Sequence, residues 1–146
     1  MAEDLSFTLH RLVTRLDRSA DRILREEHGL SYRRFRALVG IDRLDPDAST
    51  QRALAADMDV SEPSASRMVS VLAEAGLLEI APDPDGGHRR RLSLTPAGRK
   101  LLEQCQNSLR QRFAGLIERS GVSHADYARS TQLLLDTLDD GNDSAT

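Results

Sequence analysis

Ser61, Ser64, Ser66 and Arg67 stand together where a helix is about to begin, and His88, Arg89, Arg90 and Arg91 follow a turn further along. Hydroxyls and guanidiniums in such groups donate hydrogen bonds to phosphate oxygens and to base edges rather than making or breaking covalent bonds. Bond-making chemistry has no counterpart in the sequence, which shows no Gly-x-Ser-x-Gly elbow, no phosphate-binding glycine loop and no cysteine-histidine pair at a recognisable spacing. His10, His28, His88 and His124 are too dispersed for a metal-binding helix, and Cys105 is the single cysteine. No catalytic residue, metal or cofactor is expected.

A net charge of -3 over 146 residues argues mildly against a polyanionic partner. Distribution matters more than the sum: from Gly86 to Lys100 the chain carries Arg89, Arg90, Arg91, Arg99 and Lys100 and no acid. No stretch approaches the ~20 apolar residues of a membrane span, and no basic-then-apolar leader is evident, so a cytoplasmic protein with no membrane partner is expected.

The elements that must position these groups follow from periodicity. Leu5, Leu9, Leu12, Leu16, Ala20 and Ile23 make one apolar stripe on a long first helix that Gly29 ends. Ser31 caps a second helix carrying Phe35, Leu38, Val39, Ile41 and Leu44, stopped by Asp45-Pro46-Asp47. A short helix from Thr50 to Met58, a tight turn at Asp59-Val60 and a helix from Ser61 to Ala75 come next. In the last of these Pro63 falls in the first turn, where a missing N–H costs nothing, and Gly76 provides the stop. Leu77–Ala81 and Arg91–Leu94 alternate as strands around the turn Asp83-Pro84-Asp85-Gly86-Gly87. Thr95-Pro96 opens a helix with the stripe Leu102, Cys105, Leu109, Phe113 and Leu116, and a last helix holds Tyr127, Leu134 and Leu138.

Short helix, tight turn, capped helix and hairpin form the order of a winged helix-turn-helix, which places its second helix in the DNA major groove. From about Ser31 to Leu102 the chain resembles the core of the MarR family. The resemblance rests on Leu54-Ala55-Ala56-Asp57-Met58-Asp59-Val60-Ser61-Glu62-Pro63-Ser64-Ala65-Ser66-Arg67-Met68-Val69, on Gly76-Leu77-Leu78, and on Asp83-Pro84-Asp85 with its arginines and Leu94-Thr95-Pro96-Ala97-Gly98. It implies a mainly α fold with a small β-hairpin wing, a single domain over 1–146, and a DNA-binding lobe over 31–95. Helices 4–28 and 96–139 would dimerise, and 140–146 would be a flexible tail.

The resemblance further implies a homodimeric regulator, a repressor by expectation, bound to double-stranded DNA at a pseudo-palindromic operator and released by a small aromatic effector. DNA contacts are expected at Ser61, Ser64, Ser66, Arg67, His88, Arg89, Arg90 and Arg91. Counting back from Thr95 puts the family's wing arginine at His88, or at Arg89 if the hairpin is one residue shorter. The plain alternatives are that Ser61 is chiefly a cap, that Arg67 pairs with Glu74 or Asp59, and that one wing arginine folds back on Asp83 or Asp85. Effector-lining candidates are Leu12, Leu16, Phe35 and Leu38, which are equally expected as core. Cys105, on the apolar stripe of its helix, reads as a buried structural thiol.

Overall fold

The computed structural model describes residues 4–82 and 90–143; the expected turn at 83–87, His88, Arg89 and the tail beyond 143 lie outside the described residues. The chain forms two compact units, Met1–Ser108 and Leu109–Thr146, a finer division than the single domain expected over 1–146.

In the first unit α1 (Leu5–His28) is capped by the Asp4 carboxylate and stops at Gly29, whose φ of 65° is the left-handed turn that glycine adopts without a steric penalty. Helix α2 (Tyr32–Arg43) starts at Ser31, whose hydroxyl accepts the Arg34 N–H. Asp21 of α1 ties the two together by accepting the Tyr32 N–H at 2.9 Å while holding Arg25 at 2.8 Å. The Tyr32 N–H first, then Arg25, keep the Asp21 carboxyl below its usual range.

Helices α3 (Gln51–Met58) and α4 (Glu62–Glu74) are capped by Thr50 and Ser61. Asp59 turns the chain between them at φ 54°, a left-handed conformation that aspartate tolerates better than most residues. Leu54, Ala55 and Met58 from α3 and Ala65, Met68, Val69 and Leu72 from α4 are buried with Leu24, Phe35, Leu38 and Ile41, so the helices share one apolar core. Gly40 is needed for this closeness, since a Cβ there would stand 2.9 Å from both Leu54 Cδ1 and Asp57 Oδ2.

Strands β1 (Leu78–Pro82) and β2 (Arg90–Leu94) pair antiparallel, Leu78 opposite Leu94 and Ile80 opposite Leu92. The outer edge of β2 is covered as well: the Leu92 N–H donates to the Ser49 carbonyl at 2.7 Å, and Thr50 bridges to Arg91. Thr95 closes the excursion. Its hydroxyl donates to the Gly76 carbonyl at 2.6 Å and accepts the Gly98 N–H at 3.0 Å, and its own N–H reaches the Leu77 carbonyl at 3.1 Å. Gly98 permits this approach, because a Cβ would drive into the Leu77 carbonyl oxygen.

Helix α5 (Pro96–Ser120) begins in this unit, where Leu102 and Cys105 are buried and Ser108 meets His28 Nε2 at 2.8 Å. Burial pushes the Cys105 thiol up to about 11, so it stays protonated at neutral pH and has the inert character expected of a structural cysteine.

The second unit holds the end of α5 and α6 (His124–Asp143), separated by Gly121 at φ 75°. The Ser123 hydroxyl accepts the Asp126 N–H at 3.3 Å as the cap. Helix α6 runs four residues past the end expected for the last helix at 139, so that 140–143 form its final turn. Asp139, Asp140, Gly141 and Asn142 are weak helix formers, but none is proline, and a glycine costs only about 1 kcal/mol. Leu133, Leu134, Leu135 and Leu138 are 61%, 59%, 49% and 66% exposed.

Candidate nucleic-acid interface

Helix α4 presents its core residues to one side and a different set to the other. With about 3.6 residues per turn, Ala65, Met68, Val69 and Leu72 share the inner face, and Pro63, Arg67, Ser70 and Glu74 line up on the outer one. All four of the outer residues are exposed. Ser64 and Ser66, both half-buried, flank that outer row on opposite sides.

Along the first turn the hydroxyls and Arg67 are linked. Ser61 Oγ accepts the Ser64 N–H at 3.2 Å and donates to Ser64 Oγ at 3.0 Å, and Arg67 Nη2 donates to that same oxygen at 3.3 Å. Ser61 is therefore a cap, as expected. Arg67 pairs with neither Asp59 nor Glu74; its hydrogen bond to Ser64 aims it at the helix start, where the positive end of the helix dipole favours an anion.

Two clefts border α4. One, of about 790 Å³, lies between α3, α4 and the start of β2, and its lining includes Gln51, Arg52, Glu62, Ser66 and Arg90. Within it Arg52 and Glu62 face each other at 3.7 Å, both well exposed, a pair worth at most about 1 kcal/mol in water and easily exchanged for another partner. The other, of about 400 Å³, lies between α1, the start of α2 and the opposite flank of α4, where Ser64, Arg67, Met68 and Val71 meet Arg25, Arg33 and Arg34.

The expected wing contacts divide. Arg90 is exposed on β2 and lines the first cleft. Arg91 points to the other face of the hairpin and pairs with Asp47 at 3.3 Å, only 25% exposed. That pair braces the turn between α2 and α3; Asp83 and Asp85, the acids the sequence suggested for a wing arginine, lie outside the described residues. Alternation along a strand sends neighbours to opposite faces, and the bridge from Thr50 brings that loop alongside. His88 and Arg89 lie outside the described residues.

Phe35 and Leu38 are 8% and 0% exposed and serve as core, while Leu12 and Leu16 are half-buried; none of the four lines either cleft. The sequence reading missed Ser70, Gln51, Arg52, Arg33 and Arg34. Ser70 could have been found by stepping three residues on from Arg67 along the helix. The others depend on which segments meet in space.

A helix-turn-helix with a hairpin at its side, its second helix exposing a polar row, defines a winged-helix fold. Residues 28–91 match the model of the MarR family. A comparison with curated protein sequences finds no match. Among solved structures, apo MarR from E. coli is 21% identical, with 94% of this chain and 98% of that one covered and a TM-score of 0.78. S. aureus MepR in complex with DNA is 19% identical, with 95% and 99% covered and a TM-score of 0.75. The M. tuberculosis regulator MosR in complex with DNA is 25% identical, with 94% and 97% covered and a TM-score of 0.64.

Among the described residues, no helix is long and apolar enough to cross a membrane, and no group of three His, Cys, Asp or Glu side chains could hold a metal ion.

Proposed function

We propose that this protein is a sequence-specific regulator of transcription in the cytoplasm that acts by binding DNA as a homodimer, with α4 in the major groove. The observation that carries this reading is the outer row of α4, where Arg67 is exposed, tethered to Ser64 and poised at the helix start between two cleft-lined flanks. The similar structures of MepR and MosR were solved with DNA, which supports the same use of the fold here.

In this reading Arg67 reads a base edge, guanine by preference, with Ser66 and Ser70 beside it, while Ser64 holds Arg67 in place. Arg90, with His88 and Arg89, approaches the backbone or the minor groove, and Arg91 holds the wing to the lobe through Asp47. The exposed leucines of α6, with Leu5, Phe7 and Val13 of α1 at 70%, 61% and 53% exposure, are apolar surface for a second copy. Two lobes then meet half-sites about one helical turn apart on an imperfect palindrome. Repression follows from occupying a promoter, and a small aromatic effector that alters the spacing of the lobes releases the DNA.

The test is fluorescence anisotropy with the DNA upstream of the protein's own gene and with a duplex of mixed sequence. Arg67→Ala is expected to cost about 1–3 kcal/mol on the specific duplex and little on the mixed one. Equal binding of both duplexes, unaffected by the substitution, would count against base readout by α4.

A further inference from the structure

A helix seated in the major groove has a phosphate strand on each side of it, because the groove it fills, about 12 Å wide, is bounded by both backbones. The wing accounts for one side only. On that side Arg52 and Arg90 line the first cleft. On the far side is the cleft between α1, α2 and α4, whose four guanidinium groups come from Arg25, Arg33, Arg34 and Arg67; Asp21 is the carboxylate among the described residues that line it.

Asp21 is already engaged by the Tyr32 N–H and Arg25. Among the described residues Arg33 and Arg34 form no ion pair, and both are exposed. Gathering guanidinium groups from three separate elements costs free energy through their mutual repulsion unless an anion offsets it. In a chain of net charge -3 such a gathering is not a reflection of overall composition. The position matters as much as the charge. The α4 residues that line this cleft, Ser64 and Val71 among them, lie on the flank of the helix opposite Glu62 and Ser66, with the outer row between them.

We propose that the corner of α1 and α2 is a phosphodiester clamp, in which Arg33 and Arg34, supported by Arg25, grip the DNA backbone on the side of α4 away from the wing. The clamp rests on the DNA-binding function proposed for α4. Phosphate contacts carry no sequence information, so the clamp sets the register and tilt of α4 and adds affinity for any duplex.

The experiment is a salt titration of binding to a fluorescein-labelled mixed-sequence duplex and to the upstream DNA, comparing the wild-type chain with Arg33→Ala/Arg34→Ala, Arg33→Lys/Arg34→Lys and Arg67→Ala. The alanine pair is expected to weaken both duplexes alike, about 10-fold at low salt, and to lower the slope of log affinity against log salt by about 0.9 for each phosphate that is no longer neutralised. The lysine pair, which keeps the point charges, retains most of the slope. The clamp is overturned if the alanine pair leaves affinity and slope unchanged while Arg67→Ala abolishes preference, an outcome in which α4 still reads DNA. A loss confined to the upstream DNA also overturns it, since Arg33 and Arg34 would then be reading bases. Absence of salt-dependent binding by the wild-type chain removes the DNA-binding function itself, and the clamp with it.

Discussion

The lobe between Leu30 and Leu94 and the last helix treat their apolar side chains in opposite ways. In the lobe, Leu38, Leu54, Val69 and Leu72 are no more than 1% exposed, and even the hairpin edge is covered by Ser49 and Thr50. In α6 four leucines stand about half or more in water. Each fully buried leucine contributes roughly 1.5–3 kcal/mol, so the lobe has a core of its own, whereas α6 leaves that contribution to be made by another surface. The lobe is built to hold a shape of its own, and the terminal helix keeps its leucines at the surface.

The strongest way to break this contrast is to spoil the leucines of α6. Leu134→Glu/Leu138→Glu is expected to shift the protein from dimer to monomer in sedimentation and to reduce affinity for a two-half-site duplex by at least about 100-fold, since the second lobe no longer binds at high effective concentration. A variant that stays dimeric would show that α6 is not the covered surface. The lobe has its own point of failure at Gly98. Gly98→Ala forces the start of α5 off the Leu77 carbonyl and is expected to cost about 2 kcal/mol or more, read as a lowered thermal midpoint with the dimer retained. An unchanged midpoint would mean that the junction yields at little cost.

The smallest effect sharpens the comparison at the thiol. Cys105, 0% exposed with its pKa pushed up to about 11, is expected to resist alkylation at neutral pH unless the protein is denatured. Because the folded value lies above the ordinary value of 9.0, the associated stability is complete below pH 9 and is lost as the pH rises toward 11. Rapid labelling of the native protein at pH 7 would contradict that burial.

Much of the lobe was legible because its signals are local. Ser31, Thr50, Ser61 and Thr95 announce helix starts through side chains that satisfy N–H groups a few residues on, and Gly29, Gly76 and Gly121 announce stops through a backbone conformation other residues resist. Arg67 was legible for the same reason, lying close to its cap. The pairing of Arg91 with Asp47 was not, because Asp47 reaches it only after β2 has paired with the segment before α3. Arg33 and Arg34 were equally silent: as a sequence they are two charges on the polar side of a helix, and only the meeting of α1, α2 and α4 makes them a cleft.

The Thr95 knot has a bearing on how such a protein can change over generations. Residues 77–94 leave and return to one point, where Gly76, Leu77, Thr95 and Gly98 are bound together. Lengthening a loop with pinned ends costs only a slowly growing entropy, about 0.6 kcal/mol per doubling. Insertions and deletions between the strands can therefore accumulate without shifting the register of α5, leaving the wing free to diversify while the rest of the chain keeps its place.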